Sequence, residues 1–272
     1  MIHYEIYGLK HADAPTVVMS SGLGGIGRFW MPQIAALARD YRVIVYDHAG
    51  TGKSPAVLSQ DPSQAYSISH MARDVIEVMD EIGVTHADIV GHALGALVGF
   101  QLALDHPERV GRLVAINGWA VVEPVSLRCF QARLALLEHG GGEAWVRAQP
   151  IFLYPAAWLH DHHDEIEQEI DQALQHFPGA ANTRARVQAL SAFDIRNRLV
   201  DMDQSVLLLA TRDDVLVPWQ ASQKLAEGLS NGQLTLFEQG GHGVTVTRPD
   251  AVNHVLLDFL GRPSEVPRRE TG

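Results

Sequence analysis

His86-Ala87-Asp88-Ile89-Val90-Gly91-His92-Ala93-Leu94-Gly95-Ala96-Leu97-Val98-Gly99-Phe100 is the stretch that decides how this chain folds. A short apolar run, Ala87 to Val90, meets Gly91-x-x-x-Gly95 and leaves it as an amphipathic helix through Leu94, Leu97, Val98, Gln101 and Leu102. The pattern is strand, sharp turn, helix. Such a turn mounts a nucleophile, usually as G-x-S-x-G, and has glycine on either side because a Cβ there would collide with strand and helix. Here the central residue is Ala93. A methyl group cannot attack a carbonyl, so the site has to work without the side chain this turn normally presents.

Outward from the turn, the chain alternates strands and helices. Ile2, Tyr4 and Ile6 alternate with polar His3 and Glu5 as in an edge strand, and Thr16 to Ser20 is apolar enough to be covered on both faces. A glycine-rich loop, residues 21–27, leads into a helix from about Phe29 to Ala38, then a strand at Val43 to Tyr46. Ser67 caps a helix with Ile68, Met71, Val75, Val78, Met79 and Ile82 on one face, closed by Gly83. After the central turn, His106-Pro107 ends the helix, and Val110 to Asn117 reads as a buried strand with Arg112 as its one polar intruder. From Trp119 to about Gln204 helical stretches dominate: 129–139, 143–149, 164–177 and 182–190. Strands resume at Val206 to Ala210 and Leu234 to Phe237, with helices at Ala221 to Leu229 and Pro249 to Leu260. The order predicts a parallel α/β core from residues 1–118 and 205–260, a helical lid at 119–204, and a Pro- and charge-rich disordered tail at 261–272.

Two motifs point elsewhere and fail on inspection. Gly22-x-Gly24-x-x-Gly27, followed about 20 residues on by Asp47, has the spacing of a dinucleotide fingerprint. Pro32 in the first turns of the helix, the bulky Arg28-Phe29-Trp30 after the third glycine, and the strand that precedes the unit all argue against it. Gly52-Lys53-Ser54 resembles a phosphate-binding loop, but the place five before Gly52 is Asp47 where glycine is needed, and Pro55 stands where a helix should begin.

Two strand ends in the second half supply chemistry. Thr211-Arg212-Asp213-Asp214-Val215-Leu216-Val217-Pro218 follows one strand and Gln239-Gly240-Gly241-His242-Gly243 the next. Elbow, acid, histidine is the order used on the α/β-hydrolase fold, where the carboxylate orients the imidazole and the imidazole moves protons. We therefore expect that fold: a mostly parallel central sheet flanked by helices, with the helical lid inserted after the sixth strand. His242 and Asp214 are the candidate catalytic pair, with Ala93 at the nucleophile-elbow position. Asp214 is preferred to Asp213, read as a solvated neighbour, because it stands four residues before Pro218. The backbone N–H groups of Leu23 and Leu94 are the expected oxyanion donors. Trp119, Phe152, Tyr154 and Trp158 are expected to line or roof the pocket, since aromatic walls exclude water. His92 is read as packing or hydrogen-bonding, and the His160, His162 and His163 run as a solvated helix start, so no metal is predicted.

Composition excludes several classes. Lys+Arg 21 against Asp+Glu 32 leaves a net charge of −11 with no basic stripe, which argues against a nucleic-acid partner. No apolar run approaches the roughly 18 residues that cross a bilayer, and the N-terminus has no signal-like h-region. Cys129 is the only cysteine, so no internal disulfide can form. The expectation is a cytoplasmic monomer or homodimer with a small-molecule substrate and no cofactor.

Gly22-Leu23-Gly24-Gly25, Asp47-x-x-Gly50-Thr51-Gly52, Gly91 to Gly99, Asn117-Gly118-Trp119, Ala148-Gln149-Pro150-x-Phe152-Leu153-Tyr154-Pro155-Ala156 and Gly240-Gly241-His242 together resemble the RutD family. These are α/β-hydrolases of the bacterial Rut pathway of pyrimidine utilisation. The likeness spans about residues 14 to 260, and its lid segment, Ala148 to Ala156, is its most specific part. It implies an elbow that is alanine in some members and serine in others. It also implies hydrolysis of a small uracil breakdown product: carbamate to CO2 and ammonia, or aminoacrylate to malonic semialdehyde and ammonia. The rivals are a binding protein on a fold that has lost its nucleophile and a cofactor-free oxygenase using a His–Asp pair. An intact His242 and Asp214 favour chemistry over binding, because a binder needs no proton shuttle.

Overall fold

The structure, a computed structural model, describes residues 1–55 and 66–261. Seven strands form one sheet: β1 (Tyr4–Gly8), β2 (Thr16–Ser20), β3 (Arg42–Tyr46), β4 (Ala87–His92), β5 (Val110–Ile116), β6 (Val206–Thr211) and β7 (Gly232–Phe237). Their order across the sheet is β1-β3-β2-β4-β5-β6-β7, with β1 antiparallel to β3 and all other pairs parallel. Helices α1 (Met31–Leu37), α2 (Ile68–Ile82), α3 (Leu94–Asp105), α8 (Trp219–Gly228), α9 (Val244–Thr247) and α10 (Pro249–Gly261) connect or flank the strands. Between β5 and β6 lie α4 (Pro124–Leu153), α5 (Ala156–Asp161), α6 (His163–Gln175) and α7 (Ala180–Ser191). Counted along this chain the lid follows the fifth strand, not the sixth expected. The first described strand is the antiparallel partner of β3. Of the predicted tail only Gly261 is described, as the last residue of α10; residues 262–272 lie outside the described part.

The strand period of two divides the core. Val18, Ile44, Ile89, Leu113 and Leu208 face α2, α3, α8 and the lid, while Val17, Val43, Val90, Val114 and Leu209 face α1 and α10. Both faces are covered, which is why β2 and β6 read as continuous apolar runs. The same crowding overturns the expected amphipathic α3: it is buried nearly all round, enclosed by β2, β4, β5 and α2. Arg112, the odd residue in β5, reaches the closing carbonyls of α10 at Phe259 and Leu260, where a cation suits the negative end of the helix.

The lid is closed at its neck. Val121 pairs with Asp194, and the Ile195 amide donates to the Ala120 carbonyl at 3.0 Å, so chain entry and exit run side by side. Its first helix is broken at Gly141, whose φ of 70° L side chains rarely adopt. The predicted helices 129–139 and 143–149 are thus two arms of one bent element.

The elbow depends on close approach. A Cβ on Gly95 would sit 1.9 Å from the Ser20 carbonyl oxygen, and one on Gly91 would sit 2.3 Å from the Gly95 carbonyl oxygen. The overlap is with backbone, which cannot yield by changing a rotamer. Gly95→Ala should therefore destabilise the fold by about 3 kcal/mol or more. Gly24→Ala, where an added Cβ meets nothing within 4 Å, should change stability little. Urea midpoints of the two variants check the contrast.

Candidate active site

Ala93 joins β4 to α3 with φ 49° and ψ −112°, a strained conformation for a residue with a Cβ. It is held by its amide, which donates to the Ile116 carbonyl at 2.8 Å, and by its carbonyl, which accepts from the Ala96 amide at 2.9 Å. The elbow keeps its sharp turn with a methyl group at its tip.

The acid and the histidine meet across two loops. Asp214 Oδ2 accepts from His242 Nδ1 at 2.7 Å, with the aspartate side chain fully buried and the imidazole 4% exposed. Its other oxygen accepts from the amides of Leu216 and Val217 at 2.8 and 2.9 Å, a local turn that fixes the carboxylate plane. Nδ1 therefore carries the proton shared with Asp214, which leaves Nε2 as the ring atom available to a ligand. The His242 carbonyl is also fixed, accepting from His92 Nε2 at 2.8 Å and Asn117 Nδ2 at 2.9 Å. Since a carbonyl only accepts, His92 has its proton on Nε2. Burial, reinforced by the nearby His242, pushes its pKa down to about 3, so the ring stays neutral.

These groups border one cavity of about 110 Å³. Leu23, Ala93, Leu94 and His242 all line it. Leu94 opens α3, so its amide has no acceptor one turn earlier in the helix. Of the four aromatic candidates, Trp119 and Tyr154 line the cavity. Phe152 and Trp158 stand behind that wall: Phe152 lies against Arg133, and Trp158 is packed between Tyr154 and His162 at centroid distances of 4.6 and 4.1 Å. His162 also spends Nδ1 on the Trp158 carbonyl. Among the described residues no group of three or more His, Cys, Asp or Glu side chains is placed to hold a metal.

A family model described as the alpha/beta hydrolase fold matches residues 15–146, and one for TAP-like proteins matches residues 185–271. The chain is 50% identical over 264 residues to a protein of Variovorax paradoxus (strain S110) named "Putative carbamate hydrolase RutD", with 97% of each chain covered. The chain belongs to the RutD family. A namesake from Stutzerimonas stutzeri (strain A1501) is 47% identical, covering 95% of this chain and 96% of its own. The enol-lactonase from Burkholderia xenovorans LB400 shares the fold, with a TM-score of 0.86 at 24% identity and 96% of both chains covered. No described helix is long and apolar enough to cross a membrane.

Three features of this RutD-family site escape a reading of the sequence. Asp213 is not a solvated bystander: its carboxylate accepts from the Gly240 and Gly241 amides at 3.1 and 2.8 Å. Those glycines turn at φ 150° and 65°, leaving amides that need an acceptor, and Asp213 supplies it to the loop that carries His242. Arg186, fully buried in α7, donates from Nε to the Leu23 carbonyl at 3.2 Å and from Nη2 to the Gly22 carbonyl at 3.3 Å. In a trans peptide the N–H points opposite to the C=O, so holding the Gly22 oxygen also aims the Leu23 N–H. Arg133, 3% exposed in α4, lines the cavity, and burial pulls its pKa down to about 10, which leaves it charged at neutral pH. One signal was legible: neither arginine has an acid three or four residues away on its helix.

The nucleotide-like glycines also find their use. Asp47 Oδ1 accepts from the Gly27 amide and Oδ2 from the Lys53 amide, both at 2.9 Å, so the carboxylate ties two loops together.

Burial lowers the pKa of His48 as well, well below 6.5. Unfolded, each of these two imidazoles takes up a proton near pH 6.5, whereas folded His92 does so only near pH 3. Their contribution to stability is therefore intact above pH 6.5 and is lost as pH falls from there toward 3. Unfolding free energy in urea should drop between pH 7 and pH 5. Over that range the His92 ring resonances in an NMR titration should stay at their neutral positions.

Proposed function

We propose that this chain hydrolytically releases ammonia from a small carboxylate of pyrimidine breakdown, either carbamate or 3-aminoacrylate. The observation that carries this reading is the buried Asp214–His242 pair on a small cavity whose elbow residue is Ala93. The names of the relatives support it, and the reaction does not need the missing serine.

Carbamate breaks down once its nitrogen is protonated: His242, having taken a proton from solvent on Nε2, gives it to that nitrogen, the C–N bond cleaves, the electron pair leaves with ammonia, and CO2 remains. Aminoacrylate first moves its enamine hydrogen to carbon, giving an imine. Water, losing a proton to His242, adds to the imine carbon, and that proton passes to nitrogen to give a carbinolamine. The carbinolamine hydroxyl proton, moved through His242 to nitrogen, then expels ammonia and leaves malonic semialdehyde. In both routes Asp214 orients the imidazole and steadies its protonated form. The Leu23 and Leu94 amides hold a substrate oxygen in place while the proton is moved. The absence of a side-chain oxygen at Ala93 leaves room for water or for the carbamate itself. We place the reaction in the cytoplasm, where a chain with a single cysteine and no internal disulfide is at home.

The test is ammonia release from freshly generated carbamate and aminoacrylate, measured above the spontaneous rate. His242→Ala should lose the enhancement, a fall of about 10²–10⁴-fold. Asp214→Asn should lose nearly as much, by favouring the wrong tautomer. A folded His242→Ala protein with full activity overturns the mechanism.

Ala93→Ser returns a hydroxyl to the elbow. It should confer weak turnover of a small acetate ester, with a burst from the acyl-enzyme, and reduce ammonia release by filling the space above Ala93. Stopped-flow detection of the burst checks the first outcome and the ammonia assay the second.

A further inference from the structure

The cavity above Ala93 is lined by residues that carry buried polar atoms the chain does not satisfy. Ser21, His92, Trp119 and Arg133 all line it, and their Oγ, Nδ1, Nε1 and Nε atoms respectively are buried with no hydrogen-bond partner among the described residues. Leaving a buried group unpaired is costly, and more so when it is charged. Four such groups around one void mark a place where the partner is a ligand. Their chemistry is biased. The indole and the guanidinium can only donate, the hydroxyl can do either, and His92 Nδ1 can only accept because its ring proton is on Nε2.

Charge narrows the ligand further. Arg133 donates from Nη2 to the neutral Gln149 Oε1 at 3.2 Å, and its guanidinium lies over the Trp145 ring at 4.4 Å and the Phe152 ring at 5.5 Å. Among the described residues it pairs with no carboxylate. Asp214 is engaged with His242, and Glu169, which itself lines the cavity, has two oxygens that each accept from the Tyr154 hydroxyl at 3.1 Å. A buried guanidinium without a counter-ion is costly, and its planar fork matches a carboxylate. The cavity volume of about 110 Å³ is several times the roughly 10–15 Å³ that one water needs. It admits a ligand of a few heavy atoms.

We infer that Arg133 is the carboxylate anchor of this cavity, selecting small monocarboxylate anions through its guanidinium, with Trp119 as a second donor residue on the lining. The inference rests on reading His242 and Asp214 as the reacting pair, since both candidate substrates carry a carboxylate beside the C–N bond to be broken. An anchored carboxylate turns that bond toward His242. It also explains specificity: a neutral amide or ester of the same size can accept a hydrogen bond from the guanidinium but brings no counter-charge to it.

The test uses an unreactive pair of probes, propionate and propionamide, which match in size and differ in charge. In calorimetric titrations of the full chain, propionate should bind at least tenfold more tightly than propionamide. Arg133→Gln should weaken propionate at least tenfold and leave propionamide unchanged, while His242→Ala should still bind propionate. In the ammonia assay Arg133→Gln should raise KM more than it lowers kcat. Equal binding of the two probes by the unaltered chain, or undiminished propionate binding by a folded Arg133→Gln protein, overturns the anchor. If Arg133→Gln does not fold, the comparison of probes on the unaltered chain decides. Selective propionate binding without ammonia release would count against the hydrolytic reading and leave the anchor standing.

Discussion

Helix α3 begins so close to the end of β2 that Gly95 and the Ser20 carbonyl leave no room for a single carbon between them. That contact fixes where the helix starts and forces Ala93 into its strained turn. It also sets where the loop after β2 must leave the sheet, and this is the loop that carries Leu23. Both amides proposed as oxygen donors therefore come from the two sides of one backbone contact. The strain at Ala93 is tolerated because β4, β5 and α3 over-determine its position.

Around this contact the chain spends its charges unevenly. The core supplies a matched pair, Asp214 and His242, whose carboxylate is filled by two amides and one ring proton. The lid supplies two unmatched buried arginines. Arg186 is turned onto backbone carbonyls, where it shapes the loop without facing the cavity. Arg133 lies against the cavity itself. One cation builds the wall, and the other stands on the lining with Gln149 as its side-chain hydrogen-bond partner.

Much of this was legible in the order of residues. The strand–turn–helix at Ala87 to Leu102, the helical insertion and the pairing of Asp214 with His242 follow from glycine placement, period and order along the chain. What could not be read depends on packing. Whether Asp213 faces water or the Gly240–Gly241 turn is decided by the backbone of another loop, 27 and 28 residues away. The full burial of α3 reflects how many neighbours enclose it, which its own sequence does not encode. Phe152, near the end of the bent α4, packs on Arg133, while Trp158, in α5, packs between Tyr154 and His162, and the bend at Gly141 is a backbone angle with only three consecutive glycines to announce it.

The short bridge between Val121 and Asp194 makes the insertion a loop with a closed stem. A segment whose ends already lie side by side can be exchanged for another without moving the strands that bear it. Because the anchoring cation and the loop-shaping cation both sit beyond that stem, a graft at this neck would carry recognition with it and leave the proton-transfer pair behind. Evolution of new ligand preferences on this scaffold can therefore proceed by swapping a single cassette, with the sheet as an unchanging chassis.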